Sequence, residues 1–194
     1  MKAHCIPRPR QAQRGALLIE VLVAILICAF GLLGFAGMQA RATASEFESY
    51  QRSQALVLIE DMVNRINANR ANAADYIGDD LIGDGPIAVC AGTVAEVDLC
   101  EWANLIRGSA ETRNGNKVGA MLSARGRVTL ALNTTDRYIV CVAWQGTVPS
   151  GAPPSDCGQG DDTFPDESLR RVVTSTVCIA RLRDPAVTPA VPRC

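Results

Sequence analysis

The chain has 194 residues, 48% of them apolar and 20% charged, with a formal net charge of −1; that balance fits one folded domain and excludes a disordered or collagen-like chain. Four basic residues and no acid fall within the first fifteen positions (Lys2, Arg8, Arg10, Arg14), which leaves 15 basic against 20 acidic groups, a net −5, in the remainder. A mildly acidic remainder is a poor general nucleic-acid binder.

The basic segment also holds the only histidine, His4. Once that segment is removed, Ser-His-Asp or Cys-His catalysis and His-ligated zinc are excluded. The next run, Ala16 to Met38, is 23 residues with Glu20 as its only charge. A helix of that length covers about 34 Å, enough for the hydrocarbon core of a bilayer. The basic residues before it would hold that end in the cytoplasm and place everything after Gln39 outside. Ala40-Arg41-Ala42 and Ala42-Thr43-Ala44 look like cleavage sites of an ordinary signal peptide, but the apolar run is too long for one and contains an acid.

Glu20 is the discriminating residue, because a carboxylate in hydrocarbon is costly unless it is paired or protonated. A cut between Gly15 and Ala16 would create a cationic α-amine four residues earlier, and a neighbouring copy or related subunit could bring that amine to the carboxylate. Arg14-Gly15 followed by AlaLeuLeuIleGluValLeuValAlaIleLeuIle resembles the class III signal of type IV prepilins. The resemblance implies cleavage by prepilin peptidase after Gly15, methylation of the new N-terminus at Ala16, and subunit docking through Glu20, the fifth mature residue. Ala16 stands where most members have Phe or Met. The same run, then GlyLeuLeuGlyPheAlaGlyMetGlnAla, and AspMetValAsnArgIleAsnAlaAsnArgAlaAsnAla over Asp61–Ala73, resemble the PilV group of minor pilins.

That resemblance implies an α+β, type IV pilin-like fold: a long N-terminal helix, its first half membrane-embedded, packed on a small antiparallel sheet head with disulfides. The expected divisions are a leader (1–15), a transmembrane and assembly helix (16–38), its amphipathic continuation (39–75), and a periplasmic or extracellular head with a C-terminal tail (76–194). The implied role is non-enzymatic: a minor pilin that helps prime type IV pilus assembly in a tip complex. Its implied partners are other minor and major pilins, prepilin peptidase, the assembly platform and the inner membrane, with no nucleic acid and no cofactor. It would sit in the bacterial inner membrane with its head in the periplasm, then in the pilus. The alternatives are a minor pseudopilin of type II secretion and a membrane-stalked adhesin or lectin that uses the loop from Pro149 to Asp162.

Between Gln11 and Gly85 there is no proline, and Phe47, Leu58, Ile59, Met62, Val63 and Ile66 recur at helical spacing. That stripe predicts a helix continuing to about Ala73 and packing on the head. Gly31, Gly34 and Gly37 lie inside it, suited to close helix approach or local unwinding; in pilins a breaker hereabouts melts a short segment within the filament, a role Gly37 could fill, and a lipid-facing small-residue surface is the alternative. A turn-rich exit runs from Asn72 to Pro86. Asp98 is placed to cap a helix from Leu99 to Arg107. Strands are predicted at Arg127–Leu132, Arg137–Trp144 and Arg171–Ala180, the first two joined by an Asn133–Asp136 hairpin. The tail after Asp184 reads as extended.

Six cysteines follow the apolar run (Cys90, Cys100, Cys141, Cys157, Cys178, Cys194), as suits an exported, disulfide-stapled head. They allow fifteen pairings. Proximity ranks Cys90–Cys100 and Cys141–Cys178 first, which leaves Cys157–Cys194 to pin the tail. Cys28 reads as a small apolar residue of the membrane helix, and Cys5 leaves with the leader. Without a CxxC motif, zinc and thioredoxin-like chemistry have little support. Asp156, Asp161, Asp162, Asp166 and Glu167 cluster in one loop, and Asp79, Asp80 and Asp84 in another, but neither has EF-hand spacing and both read as solvated loop faces. Asn133-Thr134-Thr135 fits a glycosylation sequon and reads more simply as a turn.

Overall fold

A computed structural model describes residues 16–109, 112–113, 116–117 and 121–179. The leader through Gly15, with Cys5, and the tail after Asp184, with Cys194, lie outside the described residues. The chain divides into two compact units, Met1–Ser45 and Glu46–Cys194.

The first element, α1, is an α-helix over Ala16–Ala68. Its sequence is rich in Ala, Leu and Glu and free of proline, so local propensity favours the helix throughout. Gly31, Gly34 and Gly37 are all helical, and no break occurs at Gly37. In the first unit its apolar side chains face outward, as Leu18, Phe30 and Leu33 show.

Within the second unit, Gln51, Ala55, Ile59, Met62 and Ile66 repeat every three to four residues and are all buried. This is the stripe that packs on the sheet. Leu58 and Val63 flank it half-buried, while Phe47 stays exposed. The α-helix stops at Ala68, short of the expected Ala73, and a 3₁₀ segment takes over at Arg70–Tyr76. Asparagines explain the stop: Asn72 leaves the helical region, its Nδ2 donates to Asn69 Oδ1 at 2.9 Å, and its N–H donates to the Asn69 carbonyl. Such side chains compete with the helical ladder.

Helix α2 spans Val94–Ile106 and so begins before the expected Leu99. Thr93 caps it: the Glu96 N–H donates to Thr93 Oγ1, and the Thr93 N–H donates to Glu96 Oε2 at 2.8 Å, a reciprocal capping box. Asp98 therefore lies inside the helix. Further along, Trp102 is fully buried and its Nε1 donates to the Leu58 carbonyl at 2.8 Å, which locks α2 onto α1.

A two-stranded ladder that sequence patterning does not predict pairs β1 (Thr112–Arg113) with β2 (Asn116–Lys117). The main sheet is antiparallel, in the order β3 (Arg125–Leu130), β4 (Arg137–Gln145), β5 (Arg170–Cys178). These bounds lie within two residues of the predicted strands. The central strand is covered on both faces. Tyr138, Val140, Val142 and Trp144 face the α1 core, while Cys141 and Ala143 meet Cys157 and Phe164 from the loop before β5. Gly126 on β3 is required by packing, because a Cβ there would fall inside contact distance of the Trp102 ring and 2.7 Å from Ile106 Cδ1.

Disulfides join Cys90 to Cys100 and Cys141 to Cys157. The expected Cys141–Cys178 bridge does not form, for a reason of register: Cys141 lies opposite Thr174, whereas Cys178 lies opposite Arg137. Since Cys157 is taken by Cys141, the expected Cys157–Cys194 pairing also falls. Cys178 is also disulfide-bonded, and Cys28 is a free, exposed thiol.

Candidate functional site

The stretch of α1 in the first unit is the most unusual surface of the chain. Its most apolar window has a mean hydropathy of 2.7 and none of it is buried, so by length and composition this helix can cross a membrane. Glu20 is the only ionisable carboxylate on it before Gln39, and its side chain is exposed. Gly15 lies outside the described residues, and Ala16 is the first residue of the helix. An apolar cylinder in water is unfavourable, so this surface requires a covering of lipid or of other apolar helices. Either covering leaves the Glu20 carboxylate in need of a cation or a proton.

In the second unit two clusters of ionisable groups hold α1 to the head. Glu48 accepts from the N–H groups of Thr147 (3.1 Å) and Val148 (3.2 Å), from the Thr147 hydroxyl and from Arg171 Nη2 at 3.3 Å. Burial pushes its carboxyl up, but the Val148 N–H and the Arg171 charge outweigh that and hold it below the usual carboxylate range. Nearer the C-terminal end of α1, Arg65 donates to Asp61 (2.9 Å), Asp98 (2.9 Å) and Glu101 (2.7 Å). Burial opposes its charge, and the three carboxylates more than restore it. Tyr76 donates its hydroxyl proton to Asp98. Burial first, and then that carboxylate, push the phenol up to about 12. These contacts tie α1, the 3₁₀ segment and α2 together.

The acidic loop before β5 is equally committed to structure. Arg170, fully buried, donates to the carbonyls of Ser155 (2.9 Å) and Cys157 (2.8 Å) and to Glu167 Oε2 (2.7 Å). Asp161 accepts from the Thr163 N–H, and Asp166 from the Ser168 N–H; the Thr163 and Ser168 side chains first, and then these backbone bonds, hold the two carboxyls below their usual range. Asp156 pairs with Arg127, and Asp84 with Arg125. Among the described residues, no group of three or more His, Cys, Asp or Glu side chains is placed to hold a metal.

A family model described as Tt1218-like, type IV pilin Tt1218, matches residues 37–81. The match supports a type IV pilin. It covers the end of the apolar surface, the whole packed half of α1 and the 3₁₀ segment. No curated protein and no solved structure matches the chain. The long N-terminal helix, the three-stranded antiparallel sheet and the disulfides together form a type IV pilin-like α+β fold. Type IV pilins are structural proteins that assemble with other pilins into a pilus, and a long apolar N-terminal helix is compatible with membrane anchoring.

Proposed function

We propose that this chain is a minor pilin of the PilV kind that helps prime type IV pilus assembly. Prepilin peptidase cuts between Gly15 and Ala16, the new N-terminus is methylated, and the subunit waits in the inner membrane with its head outside. Glu20 is the observation that carries the reading. It stands alone on an exposed, otherwise apolar helix surface, five positions into the mature chain, where the free amine of an adjoining subunit can neutralise it. Assembly then exchanges lipid for neighbouring apolar helices around α1, and the stapled head selects which neighbours fit.

Mass spectrometry of the mature protein tests the processing step. The reading requires a chain beginning with methylated Ala16; a start at Thr43 or Ser45 would restore an ordinary signal peptide, and a start at Met1 would remove the docking amine altogether. Deleting the gene and scoring twitching beside protein secretion separates a pilus role, which abolishes twitching alone, from a pseudopilin role, which abolishes secretion.

A further inference from the structure

The last strand of the main sheet ends beside a groove. It has a volume of about 430 Å³ and is lined by Arg70, Ala71, Ala74, Thr135, Tyr138 and Ile179 among others. At Ile179 the described chain stops, with its N–H donating to the Asp136 carbonyl at 2.8 Å. The residue before it, Cys178, lies opposite Arg137, the neighbour of Tyr138 in the groove. The chain therefore leaves β5 from the groove wall, with residues 180–194 still to follow.

Cysteine chemistry brings the far end of that stretch back to the same spot. Cys178 is disulfide-bonded. Cys90, Cys100, Cys141 and Cys157 pair with one another and Cys28 is a free thiol, which leaves Cys5 and Cys194. Cys194 lies sixteen positions after Cys178, and Cys5 more than ten times as far before it, so loop-closure entropy selects Cys194. With that partner, no residue between the two stands more than about 29 Å from Cys178. The enclosed segment suits the groove. Pro185 to Pro192 carries no charge and consists of three prolines with Ala, Val and Thr. Proline restricts such a chain to extended conformations before it binds, so little entropy is lost, and its small side chains match a groove walled by alanines. Charge agrees. Arg70, Asp75 and Asp136, beside or within the lining, sum to −1 and have no ion pair among the described residues, whereas Arg181, Arg183, Asp184 and Arg193 sum to +2.

We propose that the tail segment Pro185–Pro192 lies in the Arg70–Ala74 groove of its own chain, held there by a Cys178–Cys194 bridge. A segment tethered at both ends works at an effective concentration on the order of millimolar, so it takes the groove ahead of a free partner. The strap goes beyond the pilin reading and does not depend on processing at Gly15.

The test uses the full-length chain in detergent without reductant. Peptide mapping of the unreduced protein should find Cys178 joined to Cys194. With the photo-crosslinker p-benzoylphenylalanine in place of Val187, irradiation should give crosslinks to Arg70–Tyr76 or Thr135–Tyr138. In a mixture of light and heavy isotope-labelled chains, the crosslinked peptides should be light with light and heavy with heavy. Ala71→Arg and Ala74→Arg, both at exposed positions, should each lower the yield by about tenfold, the scale expected for losing one small apolar contact. A bridge from Cys178 to Cys5, crosslinks to any other part of the chain, light-with-heavy pairs that put a second copy's tail in the groove, or yields unaffected by both variants would overturn the proposal.

Discussion

At Glu48, four hydrogen bonds from Thr147, Val148 and Arg171 converge on one carboxylate oxygen. Glu48→Gln keeps the size of the side chain and removes its charge, and should cost about 1 kcal/mol, since the side chain remains 29% exposed. The pH dependence has a definite sign. A carboxyl whose folded pKa lies below its unfolded value stabilises the fold above that unfolded value, and loses this contribution as the pH falls through the folded one. The difference in Tm between wild type and Glu48→Gln should therefore be full near neutral pH and shrink in acid, below the ordinary glutamate value of 4.5; a gap that widens in acid would contradict the contact. Gly126→Ala should cost about 1 to 3 kcal/mol in a denaturant melt, because its methyl would collide with Trp102 and Ile106. Neither residue announces itself in the sequence. Glu48 resembles any solvent-facing helix glutamate, and its partners lie about a hundred positions away. Arg170 likewise reads as a surface charge until the loop carbonyls that surround it are known.

Among the elements, those governed by local chemistry are legible in the sequence. The helical stripe and all three main strands are set by periodicity and β-branched runs, because each depends on residues close in sequence. The start of α2 differs from expectation where two caps compete: Asp98 is a good cap in isolation, but Thr93 with Glu96 satisfies two backbone donors at once and so sets the start. The cysteine pairing departs for a different reason. Proximity of strands does not fix register, and Cys178 lies opposite Arg137. Cys141 instead reaches down to Cys157 and, with Phe164, builds a second small core under the sheet. Replacing both Cys141 and Cys157 with Ala should cost about 2 to 4 kcal/mol and expose the Gly146–Leu169 loop to proteolysis. Limited digestion and mass spectrometry would show cuts there in the variant alone; an unchanged digestion pattern would mean that Arg170 and Phe164 hold the loop without the bridge.

For the molecule as a whole, the packed core and the exposed apolar surface occupy different units. Several ionisable groups of the head bond to its own backbone and to the packed half of α1. The first unit does the reverse and leaves its apolar surface and its one carboxylate uncovered. That division is legible from composition alone, because a long apolar run with a single acid is conspicuous without any tertiary information. The identity of the neighbours is not, since it depends on the shape of the head.

The most direct measurement is the amount of Glu20→Gln protein in sheared pili, with the membrane-inserted pool measured alongside and the variant as the sole copy. Glutamine keeps the shape and removes the charge. The account predicts an unchanged membrane pool and a filament fraction that is lost. Equal incorporation of Glu20→Gln and wild type would contradict it.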